Sequence, residues 1–403
     1  MRRSPILFIL VLWCCSFASA SEPQEEWNLT FGGPYADGAW CLQETDDGGY
    51  ILVGNSASRG EGSDLFLIRT NSTGKCIWSR TWGGSAEDAG YFVQKTRDGG
   101  FIIAGSTKSY SMGEELLWLL KTDSNGNLSW EKTFGGFVSS AGDGGWSVNE
   151  TVDGGYIITG YTQSKGKGRK DLWLLKTDGL GKEVWDRTFG GRNDDVGMSV
   201  LQSRDGGYII AGRTASFTKG GDDIWLIKTD LLGKEQWNRT FGGSQDDAGF
   251  QVLETIGGYV LVGRTELSSD RKKITLIKVN PDGQKLWERS YSGSSASSLQ
   301  STADGGYVIA GRIDNTDTGR DALIIKTDFA GREEWSMTRG GTGDDIGTFA
   351  IQNRDGSYTM AGITDSYGMG REDAWLVKIA AEPQSMENET EFRHIEFAES
   401  QAL

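Results

Sequence analysis

Residues 153–191 read DGGYIITGYTQSKGKGRKDLWLLKTDGLGKEVWDRTFGG, and most of the chain is variation on this stretch. Three runs rich in Ile, Leu, Tyr and Trp alternate with segments rich in Gly, Asp and Lys. The first run, YIITG, follows Asp153-Gly154-Gly155, which supplies the positive φ of a tight hairpin turn. The second, DLWLLKTD, passes through GLGK, a turn of the same kind, into the Trp185 run. Short, nearly continuous apolar runs of this sort are strands covered on both faces.

Outward from this stretch the pattern repeats. Trp27, Trp78, Trp130, Trp185, Trp237, Trp287 and Trp335 recur about 50 residues apart. The DGGY turn recurs at Asp47, Asp98, Asp153, Asp205 and Asp304, with IGGY and DGSY as variants, and a short apolar run precedes each turn. Each repeat therefore holds four strands, A (VQKT), B (YIIAG), C (DLWLLK) and D (the Trp strand), which describe one propeller blade. Strands A, B and C occur seven times, but the last repeat stops at DAWLVKIA without a strand D. One unpaired strand D, EWNLT at 26–30, stands at the opposite end. The expected fold is all-β: a seven-bladed β-propeller of four-stranded blades over 21–380, closed by the N-terminal strand completing the last blade.

The chain has 403 residues with 59 Gly, 5 Pro and a net charge of -15, which argues against a nucleic-acid partner. Its single histidine, His394, excludes from the main body a Ser-His-Asp or Cys-His nucleophile and His-ligated zinc or haem. Residues 1–20 combine Arg2, Arg3, a short apolar stretch and Ala18-Ser19-Ala20, the layout of a signal peptide. The protein is accordingly expected to be secreted or held at the cell surface, with no transmembrane segment downstream, and to be a monomer. Residues 381–403 read as an acidic, disordered tail. Sequons at Asn28, Asn71, Asn127, Asn149, Asn238 and Asn388 would make it a glycoprotein in a host that modifies them. Cys41 in strand A and Cys76 at strand D stand three strand spacings apart, roughly 14 Å, so both are expected as free thiols.

The stretches D178-GLGKEV-W185 and D230-LLGKEQ-W237 resemble the tryptophan-docking (PQQ-like) repeats of quinoprotein-type propellers, in which an Asp, a Gly-Lys pair and a Trp lock successive blades together. The fuller pattern, with TFGG, DGGYI and DxWLxKTD, is similar to secreted propeller repeats of archaeal and bacterial surface proteins. The quinoprotein resemblance implies pyrroloquinoline quinone, calcium and often a vicinal disulfide. The only adjacent cysteines, Cys14 and Cys15, lie in the signal peptide, and the repeats are more alike than one asymmetric cofactor usually allows. The expectation is a non-catalytic module that binds an extracellular protein or glycan, or a surface scaffold, needing no cofactor and admitting calcium. A quinone- or calcium-dependent oxidoreductase is the first alternative and a polysaccharide-active enzyme the second.

Four sets of residues are candidates for contact with a ligand. An acidic position recurs four residues after the Gly pair, at Asp37, Asp88, Asp195, Asp247 and Asp345, and Asp143 joins it after an insertion. These carboxylates are expected around one mouth of the channel, where they either hold a cation or, as their recurrence favours, fix their own loops. Tyr110, Phe217 and Tyr367 sit at the centres of variable B-to-C loops without an evident packing role, as ligand contacts do. Arg213, Arg264 and Arg312 follow the strand B Gly in three consecutive repeats, either as an anion site or paired with nearby Asp. Trp40 and Trp146 begin strand A, where Tyr91, Met198 and Phe250 also stand; they face the channel mouth or, as the expectation has it, pack in the core.

Overall fold

Each Asp-Gly-Gly turn forms a hairpin because Gly in its second position takes up the positive φ. In the third blade Gly154 has φ +80° and Thr151 N–H donates to the Gly155 carbonyl at 2.9 Å. The C-to-D turn is fixed by its Asp: Asp178 Oδ1 accepts the Leu180 and Lys182 N–H groups at 2.9 Å each, and Gly181 has φ +75°. The computed structural model describes residues 23–382 except Met112, 137–141, Lys219, 269–270, Thr316 and Thr318. The segment read as a signal peptide, and all of the tail beyond Glu382, lie outside the described residues. Among the described residues no helix is long and apolar enough to cross a membrane.

Residues 24–381 form seven four-stranded antiparallel sheets, each in the order A-B-C-D. The first blade is Asp37–Glu44, Tyr50–Ser56, Asp64–Thr70 and Cys76–Trp82. The seventh is built from Asp345–Gln352, Tyr358–Thr364 and Asp373–Ile379, and its strand D is Glu25–Phe31. That strand pairs with Asp373–Ile379, Trp27 opposite Lys378 and Leu29 opposite Leu376, as the strand count required.

Strands B and C are buried almost throughout and form the cores between blades. The strand D Trp locks each blade to the next. Trp130 lies 5.9 Å from Tyr156 of the following blade, and a Cβ on Gly181 would stand 2.6 Å from the same indole. On the channel's other face, a second clasp joins A-to-B turns to the next inner strand. Glu150 accepts the Arg97 N–H at 2.9 Å, Gln202 the Val152 N–H at 2.9 Å, and Glu44 the Arg354 N–H at 3.2 Å across the closure. Cys41 is buried and Cys76 exposed, both as free thiols.

The inner strands carry the feature that shapes the site. Strand A runs over Asp37–Glu44, Asp88–Lys95, Asp143–Glu150, Asp195–Gln202, Ala248–Thr255, Ser295–Ser301 and Asp345–Gln352. In all seven the register with strand B shifts at one residue, a β-bulge. The skipped residues are Trp40, Tyr91, Trp146, Met198, Phe250, Ser297 and Thr348.

Candidate ligand-binding site

A bulge leaves one residue out of the ladder and re-aims its side chain. Here the re-aimed side chains meet at the channel mouth, where the seven bulge residues line a cavity of about 380 Å³. Trp40 and Trp146 are therefore not core residues, contrary to expectation: each is half-buried between neighbours that are fully buried. The aromatic arc is continuous over the first three blades. Trp40 and Tyr91 stand 6.3 Å apart, Tyr91 and Trp146 4.3 Å, and Trp146 and Tyr161 6.5 Å. Trp40 is oriented by its Nε1–H, which donates to Asn55 Oδ1 at 2.7 Å. The Trp146 Nε1–H is buried without an acceptor among the described residues.

The floor is made by Phe92 and Phe349, which meet edge to face at 6.1 Å. Both also line a second cavity on the other side, walled by Gln43, Gln94, Asn149 and Gln300, so the pair partitions the channel. The mouth is thus a cup.

Its opposite wall is different in kind. In the sixth and seventh blades the bulge residues are small, Ser297 and Thr348, and beside them stand Arg264 and Arg312 from strand B of the fifth and sixth blades. Arg264 has one carboxylate in range, Glu266 at 3.5 Å, and Arg312 forms no ion pair among the described residues. The Nε–H of each is buried without a partner among the described residues. Burial, then the neighbouring Arg320 and Arg264, push the Arg312 guanidinium below its ordinary range, and Asp314 and Asp344 offset this only in part. Arg213 separates from this group: it pairs with Asp222 and lies outside the cavity.

Tyr110, Phe217 and Tyr367 acquire the packing role that their sequence did not reveal. Each is partly exposed and lies over the strand C Trp of its own blade, at 5.3 Å from Trp118, 5.4 Å from Trp225 and 5.5 Å from Trp375. Tyr367 also donates its hydroxyl to the Gly340 carbonyl at 2.7 Å. None of the three lines the cup.

The six aspartates are buried beneath the loops and do not line the cup. Each ties its D-to-A loop down: Asp195 accepts the Gly191 N–H at 2.9 Å and the Ser216 hydroxyl at 2.6 Å. Asp88, Asp345 and Asp37 repeat this with Gly84 at 3.0 Å, Gly341 at 3.0 Å and Gly33 at 2.9 Å. Asp247 and Asp143 accept the Gly243 N–H at 2.8 Å and the Gly136 N–H at 3.0 Å. Among the described residues no three His, Cys, Asp or Glu side chains are grouped so as to hold a metal ion.

Sequence reasoning singled out Trp40 and Trp146 but left Tyr91, Met198, Phe250, Phe92 and Phe349 out of the candidate set. The signal was present: one strand A position changes from Trp to Tyr, Met, Phe, Ser and Thr, while a Gly or Ala stands before it in every repeat. A position free to vary beside one held small marks a bulge aimed at open space.

No family model matches the chain. Regulatory protein FlaEY of Caulobacter vibrioides is 28% identical over 129 residues, covering 29% of this chain. The match spans only 13% of that relative's length. Among solved structures, a protein of unknown function from Dyadobacter fermentans has a TM-score of 0.49 at 11% identity, covering 89% of this chain and 99% of its own. One from Bacteroides caccae, also of unknown function, has a TM-score of 0.44 at 11% identity over 79% and 94% of the two chains. Sqt1 from Chaetomium thermophilum has a TM-score of 0.48 at 11% identity over 85% and 82%. At this level of similarity none of them assigns this chain a ligand or an activity.

Proposed function

We propose that the protein is an exported, non-catalytic binding module that takes an extracellular ligand, the end of a glycan or a protein segment, into the cup at the channel mouth. One observation carries this reading: five of the seven bulge positions bring Trp, Tyr, Met or Phe to the cup wall instead of the core. Apolar side chains held half-exposed in a concave, floored site are what ligand pockets are made of. The rigid ring beneath them keeps the walls in place at little entropic cost on binding. Export rests on the charged, apolar and small-residue segments of residues 1–20.

Screening the protein against glycan and extracellular-protein arrays, with Trp40→Ala and Trp146→Ala in parallel, tests the site. Both substitutions should abolish whatever binding the unaltered protein shows, while Phe217→Ala and Tyr367→Ala leave it intact. Loss of binding in the loop variants alone would place recognition on the B-to-C loops and defeat the reading.

A further inference from the structure

The cup has two unlike walls, and the ligand must match both. Trp40, Tyr91 and Trp146 line one side, while Arg264 and Arg312 stand on the other with Nε–H groups that no atom of the described residues accepts. Unpartnered buried donors are rare in folded proteins, and although Arg264 keeps Glu266 at 3.5 Å, Arg312 has no ion pair among the described residues in a chain with 56 acidic residues to supply one. The other strand B positions show that pairing was available: Arg213 at the equivalent site has Asp222.

From this juxtaposition we infer that the cup selects a saccharide end bearing a carboxylate, of the uronic acid class. Its ring would stack on the aromatic wall and its carboxylate would accept from Arg264 and Arg312. The inference rests on the binding function proposed above and specifies its ligand. A sugar ring suits the aromatic wall because its C–H face lies flat on an indole or phenol, and a carboxylate suits the arginines because the guanidinium fork matches its two oxygens. Size favours a saccharide over a folded protein partner. A cup of about 380 Å³ lies near the lower end of small-ligand pockets, whereas a stable protein interface covers an extended surface.

Calorimetric titration with glucuronate-, galacturonate- and mannuronate-terminated oligosaccharides, their neutral methyl esters and a Glu-rich peptide tests this. At least one acidic saccharide should bind, and its methyl ester should bind about 10–100-fold more weakly. Arg312→Gln and Arg264→Gln should each lower affinity for the acid toward that of the ester and weaken binding of the ester, whose neutral carbonyl accepts a weaker hydrogen bond, much less. The melting temperature of Arg312→Gln should equal or exceed that of the unaltered protein, which separates lost recognition from lost folding.

If ester and acid bind alike, or if the Arg variants hold the acid as before while Trp146→Ala loses it, the carboxylate inference is overturned and the binding reading survives. If the peptide binds at the Trp146 wall and no saccharide does, the ligand class is wrong and a protein partner takes its place. If no probe is bound in any manner sensitive to Trp40 or Trp146, both the inference and the reading beneath it fall.

Discussion

Gly126 and Gly99 both hold a positive φ, +74° and +84°, yet they answer to different constraints. A Cβ on Gly126 would stand 2.5 Å from the Trp78 indole of the preceding blade; one on Gly99 would meet nothing within 4 Å. Gly99→Ala should therefore bear only the left-handed backbone penalty, about 1–2 kcal/mol. Gly126→Ala adds overpacking against Trp78 and should cost about 2–5 kcal/mol in all, read by denaturant unfolding. Equal costs would mean that Trp78 does not dock on its neighbour. The cysteines divide in a similar way. Burial pushes the Cys41 thiol up to about 12, against weaker opposing backbone hydrogen bonds at Val93 and Leu42, whereas Cys76 is exposed. Protein lacking residues 1–20, and with them Cys14 and Cys15, should label once with a thiol reagent when native, at Cys76, and twice when denatured and unreduced; a disulfide-linked peptide would contradict the strand order.

Among the elements, the A-to-B turns carry the pH dependence. In six blades the basic residue ending strand C reaches the turn Asp, as Lys121 does Asp98 at 2.8 Å and Lys176 does Asp153 at 3.0 Å. Partial burial pushes the Asp98 carboxyl up, but bonds from Lys121, Thr96 and the Gly100 N–H outweigh it and hold it at about 2. Asp153, also at about 2, is held down likewise by Thr151, Gly155 and Lys176 against burial. Because these folded values lie below the unfolded ones, their stabilisation is present above the ordinary carboxylate range and disappears as pH falls from about 4 to about 2. Melting temperature should drop steeply over that interval, and Asp98→Asn with Asp153→Asn should flatten the drop while lowering stability at pH 7. The fifth blade differs because its turn, Thr255-Ile256-Gly257-Gly258, is one residue shorter and has no Asp. Lys278 donates there to Thr255 and to the Ile256 carbonyl at 3.1 Å, and burial pushes its ammonium down. Its buried charge therefore costs stability at neutral pH, and that cost is relieved as pH rises through its lowered value, so this blade gains stability at the alkaline end instead of the acid one. Strands and turns were legible in the sequence because Gly, Asp and Trp act within a few residues of where they stand. The cup was only half legible, since it depends on a register shift in seven strands at once and on which side chains then meet across the axis. Arg312 shows the limit: its position in strand B could be read, but its lack of an acid partner emerged only from the assembled ring.

For the molecule as a whole, the closing strand decides whether seven blades make a ring. Deleting residues 21–31 would expose the edge of Asp373–Ile379 and remove Trp27 from its contact with Tyr50, 6.2 Å away. The truncated protein should lose several kcal/mol and associate through the bared edge, seen as a lower melting temperature and a concentration-dependent mass in light scattering. An unchanged melting temperature would show that the ring does not need its closure. The same pairing also imposes an order in time. Among the described strands Glu25–Phe31 is the first to be synthesised, and its partner Asp373–Ile379 is the last. Intervening blades can form from neighbouring hairpins, but this sheet must wait until Asp373–Ile379 has been made and then bring two segments far apart in sequence together, a late and entropically costly step. Until that moment the nascent protein is an open arc whose first strand is without its partner, and any hold-up in synthesis prolongs its most aggregation-prone state.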